Sequence, residues 1–423
     1  MKFGLLSYKG TFNLGDEIQS LAARRLLPRV DSYLDRDDLS GAFAGDGEPT
    51  ALIVHGWMSH TPENWPPQPA IRPLLTSLHL ARESGKGPAR ISASEFMLAP
   101  PIVDYLKSHG AVGARDLATL QLLESHGVEA YFSGCLSLTL SGRGLPRGAN
   151  IVLNDVPERV ASAVAAGTTR QISRTTHGNS TILDPAERFS KAQDLLDEYE
   201  SAHCVITTKL HCALPCLAFG TPVLLLDVAP DQHRFSGLND YLRHCSEDDF
   251  LANRGGFPLE SPEPNRSDFT RLREPLIATV NAFVQKAQDG TLSTSAWAAQ
   301  FKDSASGRAL RFATLAHVYA RAIEKLADAE KQIAALTSAN QDLAADTNRL
   351  QSERDNFARM DHDARAACAA LEAELKAAGA RIGALQKEAS AAATLADSRD
   401  FVGRVQRMIR GVTRGMRDTR GSK

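Results

Sequence analysis

The stretch 205–227 constrains the fold of this chain more than any other segment. Two short apolar runs, Val205–Ile206 and Pro222–Leu226, have the composition of buried strands. A helix is expected between them over Ala213–Phe219, with Pro215 tolerated in its first turn. Strand, helix and strand in this order predict an open α/β sheet with parallel strands.

Lys209 and His211 stand where the first of these strands gives way to the helix. In open parallel sheets, ligands bind at the carboxyl ends of the strands, opposite the amino termini of the helices. Backbone N–H groups and the positive end of the helix favour an anion there. Lys209 adds a positive charge and His211 a proton donor, so the residues predict a pocket for a phosphate or a carboxylate. The alternative is that both are strand-end residues satisfied by their neighbours.

The same segment resembles the signature of the polysaccharide pyruvyl transferase family, in which Ser/Thr-Arg-Leu-His precedes a helix and Phe-Gly-x-Pro. Here it reads Thr-Thr-Lys-Leu-His over 207–211 and Phe-Gly-Thr-Pro over 219–222, with Lys209 in place of the arginine. The opening segment Phe12–Gln19 is similar to the family's Asn-x-Gly-Asp turn. Val112–Asp116, followed by Ser133-Gly-Cys, is similar to its middle section. The resemblance covers about residues 1–245.

The resemblance implies an enzyme that transfers pyruvate from phosphoenolpyruvate onto two hydroxyls of a sugar in a cell-surface polysaccharide, forming a ketal. Histidine titrates near neutral pH, so His211 and His177 are the candidate catalytic residues. The expected donor- or anion-binding residues are Lys209, Leu210, Arg174, Gly220 and Thr221. The expected acceptor-binding residues are Asn13, Gly15, Asp16, His55 and Trp57. No metal or cofactor is expected; phosphoenolpyruvate is the donor substrate, and the acceptor is a glycan or a lipid-linked sugar.

Two other functions remain open from the residues. A nucleotide-sugar glycosyltransferase would use the same scaffold, because a fold does not determine a function. A non-catalytic scaffold protein in surface-glycan assembly is the second. The turn at 13–16 would then be a tight turn in which Asp16 caps the following helix.

Strand and helix patterns alternate on both sides of a Gly- and Pro-containing linker at 141–149. We therefore expect two doubly wound, Rossmann-like halves, 1–145 and 146–295, facing a cleft in a GT-B-like arrangement that the resemblance also implies. Further expectations are a strand over Ala89–Ile91 and an ordered loop over Met58–Pro73, because prolines disfavour regular elements.

A heptad pattern free of proline runs from 322 to 389 and predicts a coiled coil over 309–398. One set of positions, seven residues apart, is apolar throughout: Ala322, Ala329, Leu336, Leu343, Leu350, Phe357, Ala364, Leu371, Ala378 and Leu385. The second set is apolar at both ends and polar from Asn340 to Asp361. This favours a homodimer over larger assemblies. The alternative is a single exposed helix.

The last segment, 399–423, carries seven arginines and one lysine against two aspartates, a charge of +8 − 2 = +6 in a chain whose net charge is −2. Apolar residues from Phe401 to Met416 share one helical face, a pattern typical of a basic amphipathic helix on an anionic membrane surface. A solvated basic tail is the alternative. Nucleic-acid binding is disfavoured, because no aromatic interleaving accompanies the charge.

The six cysteines form no CxxC pair, and their spacing predicts no disulfide framework. No apolar run is long enough for a membrane span, and the amino terminus lacks a signal-peptide core. The expected location is the cytoplasm, with possible peripheral attachment to the inner face of the membrane.

Overall fold

The fold is α/β, with two parallel sheets and a long C-terminal helix. The chain divides into two compact units, Met1–Glu324 and Lys325–Lys423. The computed structural model describes residues 1–40, 48–83, 90–178, 184–227, 232–295 and 304–395. The predicted basic segment 399–423 lies outside the described residues, as does Ala89 of the predicted strand.

The first sheet has six strands in the order β2-β1-β3-β4-β5-β6, and all its pairs are parallel. The strands are β1 (Lys2–Ser7), β2 (Ser32–Asp35), β3 (Thr50–Met58), β4 (Ile71–Leu80), β5 (Val112–Ala114) and β6 (Ala130–Phe132). The helices of this part are α1 (Gly15–Leu26), α2 (Ala93–Met97), α3 (Pro100–Lys107) and α4 (Leu117–Ser125). Short 3-10 turns occupy Arg36–Asp38, Pro62–Asn64 and Leu136–Thr139.

The second sheet has five parallel strands in the order β11-β10-β9-β7-β8. The strands are β7 (Ile151–Asn154), β8 (Ile172–Thr175), β9 (Cys204–Thr207), β10 (Val223–Leu226) and β11 (His244–Cys245). The helices are α5 (Glu158–Gly167), α6 (Pro185–Ser201), α7 (Leu210–Phe219), α8 (Glu247–Leu251) and α9 (Thr270–Gln288). Short 3-10 turns occupy Gln232–Phe235 and Asn239–Tyr241.

Helices from the two sheets share one apolar core. Buried side chains of α1, α6, α7 and α9 belong to the same cluster, among them Ile18, Leu21, Leu196, Tyr199, Leu214, Leu217 and Val280. Inside it, Arg188 of α6 forms a fully buried ion pair with Glu17 of α1, NH2 lying 2.9 Å from Oε2. The two sheets are therefore joined by apolar packing and by a charge pair.

The linker between the sheets is held against the end of α6. The carboxylate of Glu200, which is 7% exposed, accepts hydrogen bonds from the backbone N–H groups of Arg143 at 2.8 Å, Gly144 at 2.8 Å and Leu145 at 3.1 Å. Charge-assisted bonds of this kind are stronger than those between neutral groups. The linker is thus a fixed part of the structure.

Two sequence expectations about helix starts were wrong. Helix α1 begins at Gly15 after Leu14, with no side-chain cap, so Asp16 lies inside the first turn and does not cap the helix. Helix α7 begins at Leu210, which leaves Pro215 inside the helix and beyond its first turn. Complete burial of most of α7 explains why the helix extends past the proline, since tertiary packing outweighs local propensity.

Two expectations about strands were also wrong. Ile91 is not in a strand, and β4 begins at Ile71, so Pro73 lies within it and pairs with Leu52 of β3. The other neighbour, β5, pairs with β4 only at Leu78. Pro73 therefore stands where β4 is effectively an edge strand, the position that tolerates a missing N–H donor.

The C-terminal helix α10 spans Ser304–Leu395. Its early turns belong to the first unit, where Leu310, Leu315 and Val318 contact the core of the first sheet. The apolar heptad residues farther along are exposed, for example Leu343 at 64% and Leu350 at 57%. Pairing of this helix with another remains a prediction. No described helix is long and apolar enough to cross a membrane.

Candidate functional site

A cavity of about 500 Å³ lies at the carboxyl ends of both sheets. Its lining residues follow or end the strands β1, β3, β4 and β5 of the first sheet and β8, β9 and β10 of the second. This is where parallel sheets bind ligands. The lining consists of Thr11, Phe12, Asn13, Asp16, Trp57, His60, Glu83, Arg115, His177, Lys209, Leu210, His211, Arg234 and Phe235.

The Asn-x-Gly-Asp turn brings the start of α1 against the two predicted catalytic histidines. The side-chain oxygen of Asn13 accepts a hydrogen bond from the N–H of Gly15 at 3.1 Å. A Cβ atom on Gly15 would stand 2.9 Å from Nδ1 of His177 and 3.1 Å from Nδ1 of His211. Only a glycine allows this approach without a shift of its neighbours.

Arg188 fixes the loop that leads into this turn. Its guanidinium donates to the carbonyl oxygen of Thr11 at 2.7 Å and to that of Asn13 at 3.4 Å, besides its ion pair with Glu17. The N–H of Leu14 donates to the carbonyl oxygen of His177 at 2.8 Å. The first-sheet wall of the cavity is thereby tied to the second sheet.

Lys209 and Leu210 line the cavity, and Lys209 immediately precedes α7. The Lys209 side chain makes no hydrogen bond or ion pair with any residue that the structure describes, although its backbone N–H donates to Oγ1 of Thr207 at 2.9 Å. An ammonium without a carboxylate partner, beside the positive end of a helix, favours an anionic ligand.

His211 is 9% exposed, and its Nε2 atom has no hydrogen-bond partner among the described residues. Burial lowers its pKa well below the usual value, and the charges of Arg115 and Arg234 add to this effect. His211 is therefore neutral near pH 7, and its Nε2 atom is buried and unpaired within the part of the chain that the structure describes.

His177 is 2% exposed and follows β8. Its Nε2 atom lies 3.0 Å from the hydroxyl of Tyr199, and its backbone N–H donates to the carboxylate of Asp155 at 3.0 Å. Burial lowers the pKa of the imidazole to about 4, with Asp155 opposing the shift and Lys209 adding to it. His177 is also neutral near pH 7.

Aromatic and charged side chains form the first-sheet side of the cavity. The rings of Trp57 and His60 lie 4.7 Å apart. Behind them, the guanidinium of Arg36 lies 5.5 Å from the centre of the Trp57 ring and 4.9 Å from that of Tyr8. A buried cation between two aromatic rings is a stable arrangement that fixes the position of Trp57.

Five predicted site residues do not line the cavity; one of them, Gly15, packs behind the two histidines as described above. Arg174 is exposed and paired with Glu158 at 2.6 Å. Gly220 ends α7 with a φ of 73°, at the end of the helix opposite Lys209. The hydroxyl of Thr221 accepts a hydrogen bond from Arg147. His55 is fully buried, with Nδ1 facing the hydroxyl of Tyr8 at 3.4 Å.

The sequence analysis missed two cations of the cavity, Arg115 and Arg234. Arg115 is 3% exposed; its Nε atom lies 3.5 Å from Asp116 and makes no hydrogen bond with any of the described residues. Arg115 comes directly after β5, and Lys209 comes two residues after β9. A basic residue just past the end of a predicted strand is a pattern by which the sequence could have revealed Arg115. Arg234 follows β10 at a greater distance, and nothing in its local sequence marks it.

The comparison that decides the family concerns the segment carrying these residues. A family model described as "Polysaccharide pyruvyl transferase" matches residues 13–230. This chain belongs to the polysaccharide pyruvyl transferase family. The match runs from Asn13 through the Lys209–His211 motif, so it includes lining residues from both sheets. As a pyruvyl transferase, the protein is a transferase that acts on polysaccharides.

Other comparisons add little to the family match. No curated protein matches the chain. Among solved structures, the chain is similar to an uncharacterized protein from Klebsiella pneumoniae subsp. pneumoniae NTUH-K2044, with 12% identity and a TM-score of 0.35. That similarity covers 58% of this chain and 92% of the other.

Proposed function

We propose that this pyruvyl transferase takes pyruvate from phosphoenolpyruvate and transfers it to two hydroxyls of a sugar in a cell-surface glycan, forming a ketal. The observation that carries the proposal is the charge of the cavity. Three cations, Arg115, Lys209 and Arg234, line it against two carboxyl groups, Asp16 and Glu83. Cations outnumber carboxyl groups in this set, so the cavity is expected to concentrate anionic ligands.

The donor would lie at the second-sheet wall. Its phosphate or carboxylate would face the first turn of α7, where backbone N–H groups lack intrahelical partners. Lys209 would neutralise one anionic group, and Nε2 of His211 would make a hydrogen bond to the same ligand. Arg115, opposite on the first sheet, would neutralise the other anionic group.

The acceptor sugar would lie at the first-sheet wall. Phe12 lines the cavity and is 64% exposed, so it offers an apolar surface that a bound ligand could cover. Trp57 provides a second apolar surface. A sugar ring between them would present its hydroxyls to Asn13 and Asp16 at the bottom of the turn.

The two histidines have a different role in this proposal from the one expected from the sequence. Both are neutral near pH 7 because burial lowers their pKa values. A neutral imidazole with a low pKa is a weak acid catalyst. His211 is better suited to orient the donor, and His177, bonded to Tyr199 and packed against Gly15, to hold the wall in place.

The finer architecture and the assembly of the protein are also proposals. Two parallel sheets with their carboxyl edges at one cavity suit a GT-B-like arrangement. The exposed apolar heptad of α10 is self-complementary, which supports a homodimeric coiled coil. The basic segment 399–423 would add attraction to an anionic membrane surface, where lipid-linked acceptors reside.

A thermal-shift titration of the full chain with phosphoenolpyruvate tests the proposed donor. A ligand that binds the folded state raises the melting temperature by mass action. We expect stabilisation of the wild type, and loss of about tenfold or more in affinity in Lys209→Ala and His211→Ala. Lys191→Ala is the matched control, because Lys191 is exposed on α6 and does not line the cavity.

The same titration with nucleotide sugars separates the alternatives. Stabilisation by a nucleotide sugar and none by phosphoenolpyruvate would indicate glycosyl transfer on this scaffold. A lack of response to every donor would indicate a non-catalytic role in glycan assembly.

A further inference from the structure

Two carboxyl groups beside the cavity, those of Asp16 and Asp37, compete for one buried cation, Arg36. The Arg36 side chain is fully buried. Asp37 binds it through two contacts, from Nε at 3.2 Å and from NH2 at 2.7 Å. Asp16 lies 3.8 Å from NH1, which donates instead to the carbonyl oxygen of Trp57 at 3.0 Å. The cation is thus already neutralised by Asp37.

Asp37 has further partners that favour its ionised form. Its Oδ1 atom accepts a hydrogen bond from the backbone N–H of His60 at 2.9 Å, and its Oδ2 atom lies 3.4 Å from Nδ1 of the same residue. Burial raises the pKa of Asp37, but the bonds and charges of His60 and Arg36 outweigh burial and lower it below its usual value. Asp37 is the ionised member of the pair.

Asp16 is in the opposite situation. It lines the cavity, is 5% exposed and accepts no hydrogen bond from any residue that the structure describes. Burial raises its pKa, Arg36, His60 and Arg115 oppose the shift, and the negative charge of Asp37 adds to it. Two carboxyl groups whose surroundings separate their titrations commonly divide acid and base roles in enzymes.

We infer that Asp16 is the acid–base residue of the reaction: its protonated carboxyl group gives a proton to the methylene carbon of phosphoenolpyruvate, and the resulting carboxylate takes the proton of the attacking sugar hydroxyl. This inference rests on the proposed function. The location suits it, because Asp16 is next in sequence to Gly15, which touches both histidines, and the first-sheet wall is where the acceptor is proposed to bind.

The steps balance without any further reactant. Protonation of C3 by Asp16 consumes the C2–C3 double bond and leaves a cationic C2 stabilised by its phosphate oxygen. The first sugar hydroxyl forms a C–O bond to C2 and loses its proton to Asp16. The C2–O bond to phosphate then breaks, and the second hydroxyl closes the ketal ring. Its proton leaves with the phosphate, so Asp16 is protonated again for the next turnover.

The inference makes Arg36 a positioning residue. By binding Asp37 in two contacts and the Trp57 carbonyl in a third, it leaves Asp16 close to a cation whose charge is neutralised. The Arg36 charge, 3.8 Å from Asp16, opposes the rise in the pKa of Asp16, but no hydrogen bond accompanies it and burial outweighs it. The aromatic stacking of Arg36 on Trp57 places the proposed sugar platform and the acid in a fixed relation.

The test compares the full-length wild type with Asp16→Asn, which mimics a protonated carboxyl group. The dissociation constant for phosphoenolpyruvate is measured by titration calorimetry at pH 7. Phosphate release is measured with methyl glycosides of glucose, galactose and mannose as acceptors. We expect Asp16→Asn to bind phosphoenolpyruvate within about threefold of the wild type. Phosphate release should fall about 100-fold or more, since it depends on the proton transfer.

Two further variants make the result specific. Asp16→Glu restores a carboxyl group and should recover part of the phosphate release that Asp16→Asn loses. Asp104→Asn, on the exposed face of α3 and away from the cavity, should match the wild type in both measurements. Thermal unfolding of each variant establishes that it is folded.

Each other outcome is decisive. A change in phosphoenolpyruvate affinity of about tenfold or more in Asp16→Asn, in either direction, would show that Asp16 is charged or binds the donor directly, and would overturn the inference. Phosphate release by Asp16→Asn at more than about a tenth of the wild-type rate would also overturn the inference. The binding comparison gives the charge on Asp16 even if no glycoside is accepted. Failure of the wild type itself to bind phosphoenolpyruvate would overturn the proposed function and the inference together.

Discussion

Gly15 and His177 approach so closely that a Cβ atom on Gly15 would lie 2.9 Å from Nδ1 of the imidazole. The contact joins the first turn of α1 to the loop after β8, so it crosses from one sheet to the other. The glycine of the Asn-x-Gly-Asp turn is therefore required by the meeting of two walls, and its φ angle is ordinary.

Replacing Gly15 with alanine should destabilise the fold and the cavity together. Forcing a methyl group into this contact is expected to cost about 1–3 kcal/mol of unfolding free energy. Phosphoenolpyruvate affinity should fall as well, because His211 lies 3.1 Å from the same point. Chemical denaturation and calorimetry measure the two effects. Gly10→Ala is the control, since nothing lies within 4 Å of its Cβ position; equal results for both variants would contradict the prediction.

The buried pair of Arg188 and Glu17 offers a test of how the two sheets are joined. Arg188→Met leaves the Glu17 carboxylate buried without its cation, and we expect a loss of about 3–5 kcal/mol in unfolding free energy. Adding Glu17→Gln should recover part of this, because the unpaired charge is removed. Urea denaturation gives the values.

The exposed pair of Arg266 and Asp268 provides the matched comparison for this prediction. Arg266 is 64% exposed in its side chain, and Arg266→Met should cost at most about 1 kcal/mol. Similar losses in Arg188→Met and Arg266→Met would mean that the buried pair has no special part in joining the sheets.

Stability should depend on pH through the buried histidines. The pKa of His177 is lowered by burial to about 4 in the folded protein, against about 6.5 in the unfolded chain. Between these values the unfolded state binds more protons, so unfolding free energy falls as pH decreases from about 6.5 to 4, by about 1.4 kcal/mol per unit for each such histidine. His177→Gln should remove about one proton from this slope in denaturation at several pH values. An unchanged slope in His177→Gln would contradict the prediction.

The apolar heptad of α10 predicts a dimer that charged substitutions at the heptad positions should dissociate. We expect the full chain to be dimeric in light scattering after gel filtration, and Leu343→Lys with Leu350→Lys to make it monomeric, because the charges would enter the seam. Ala345→Lys with Ser352→Lys changes the charge equally outside both heptad sets and should leave the dimer intact. A monomeric wild type would contradict the prediction. A truncation that removes the exposed part of α10 should be made after Glu324, because Val318, in the early turns of this helix, is buried against the first sheet.

The order of strands and helices and the position of Lys209 and His211 followed from the sequence, because apolar runs and turn residues are local signals. Asp16 was expected to cap the helix, since a carboxylate beside a turn is usually a cap, but the helix begins at Gly15 and includes Asp16 in its first turn. Arg174 was expected to supply positive charge to the donor site, but it is exposed and paired with Glu158 on α5.

The buried arginines and their contacts across the fold could not be predicted from any sequence pattern. Arg36 and Arg188 read locally as surface residues, yet each is among the most buried large side chains of the protein. Arg188 pairs with Glu17, which is 171 residues away; Arg36 pairs with the adjacent Asp37, but its contacts with Asp16 and with the carbonyl oxygen of Trp57 depend on the fold. Only the fold brings such groups together, and with them the different surroundings of Asp16 and Asp37.

The linker bound by Glu200 has a consequence for how substrates reach the cavity. Three backbone N–H groups bonded to one carboxylate make the connection rigid. A rigid connection opposes the rotation of one sheet away from the other. We therefore expect donor and acceptor to enter without a large movement of one sheet, past exposed lining side chains such as Phe12. The size of the accepted glycan would be set by those side chains and not by the reach of a moving domain.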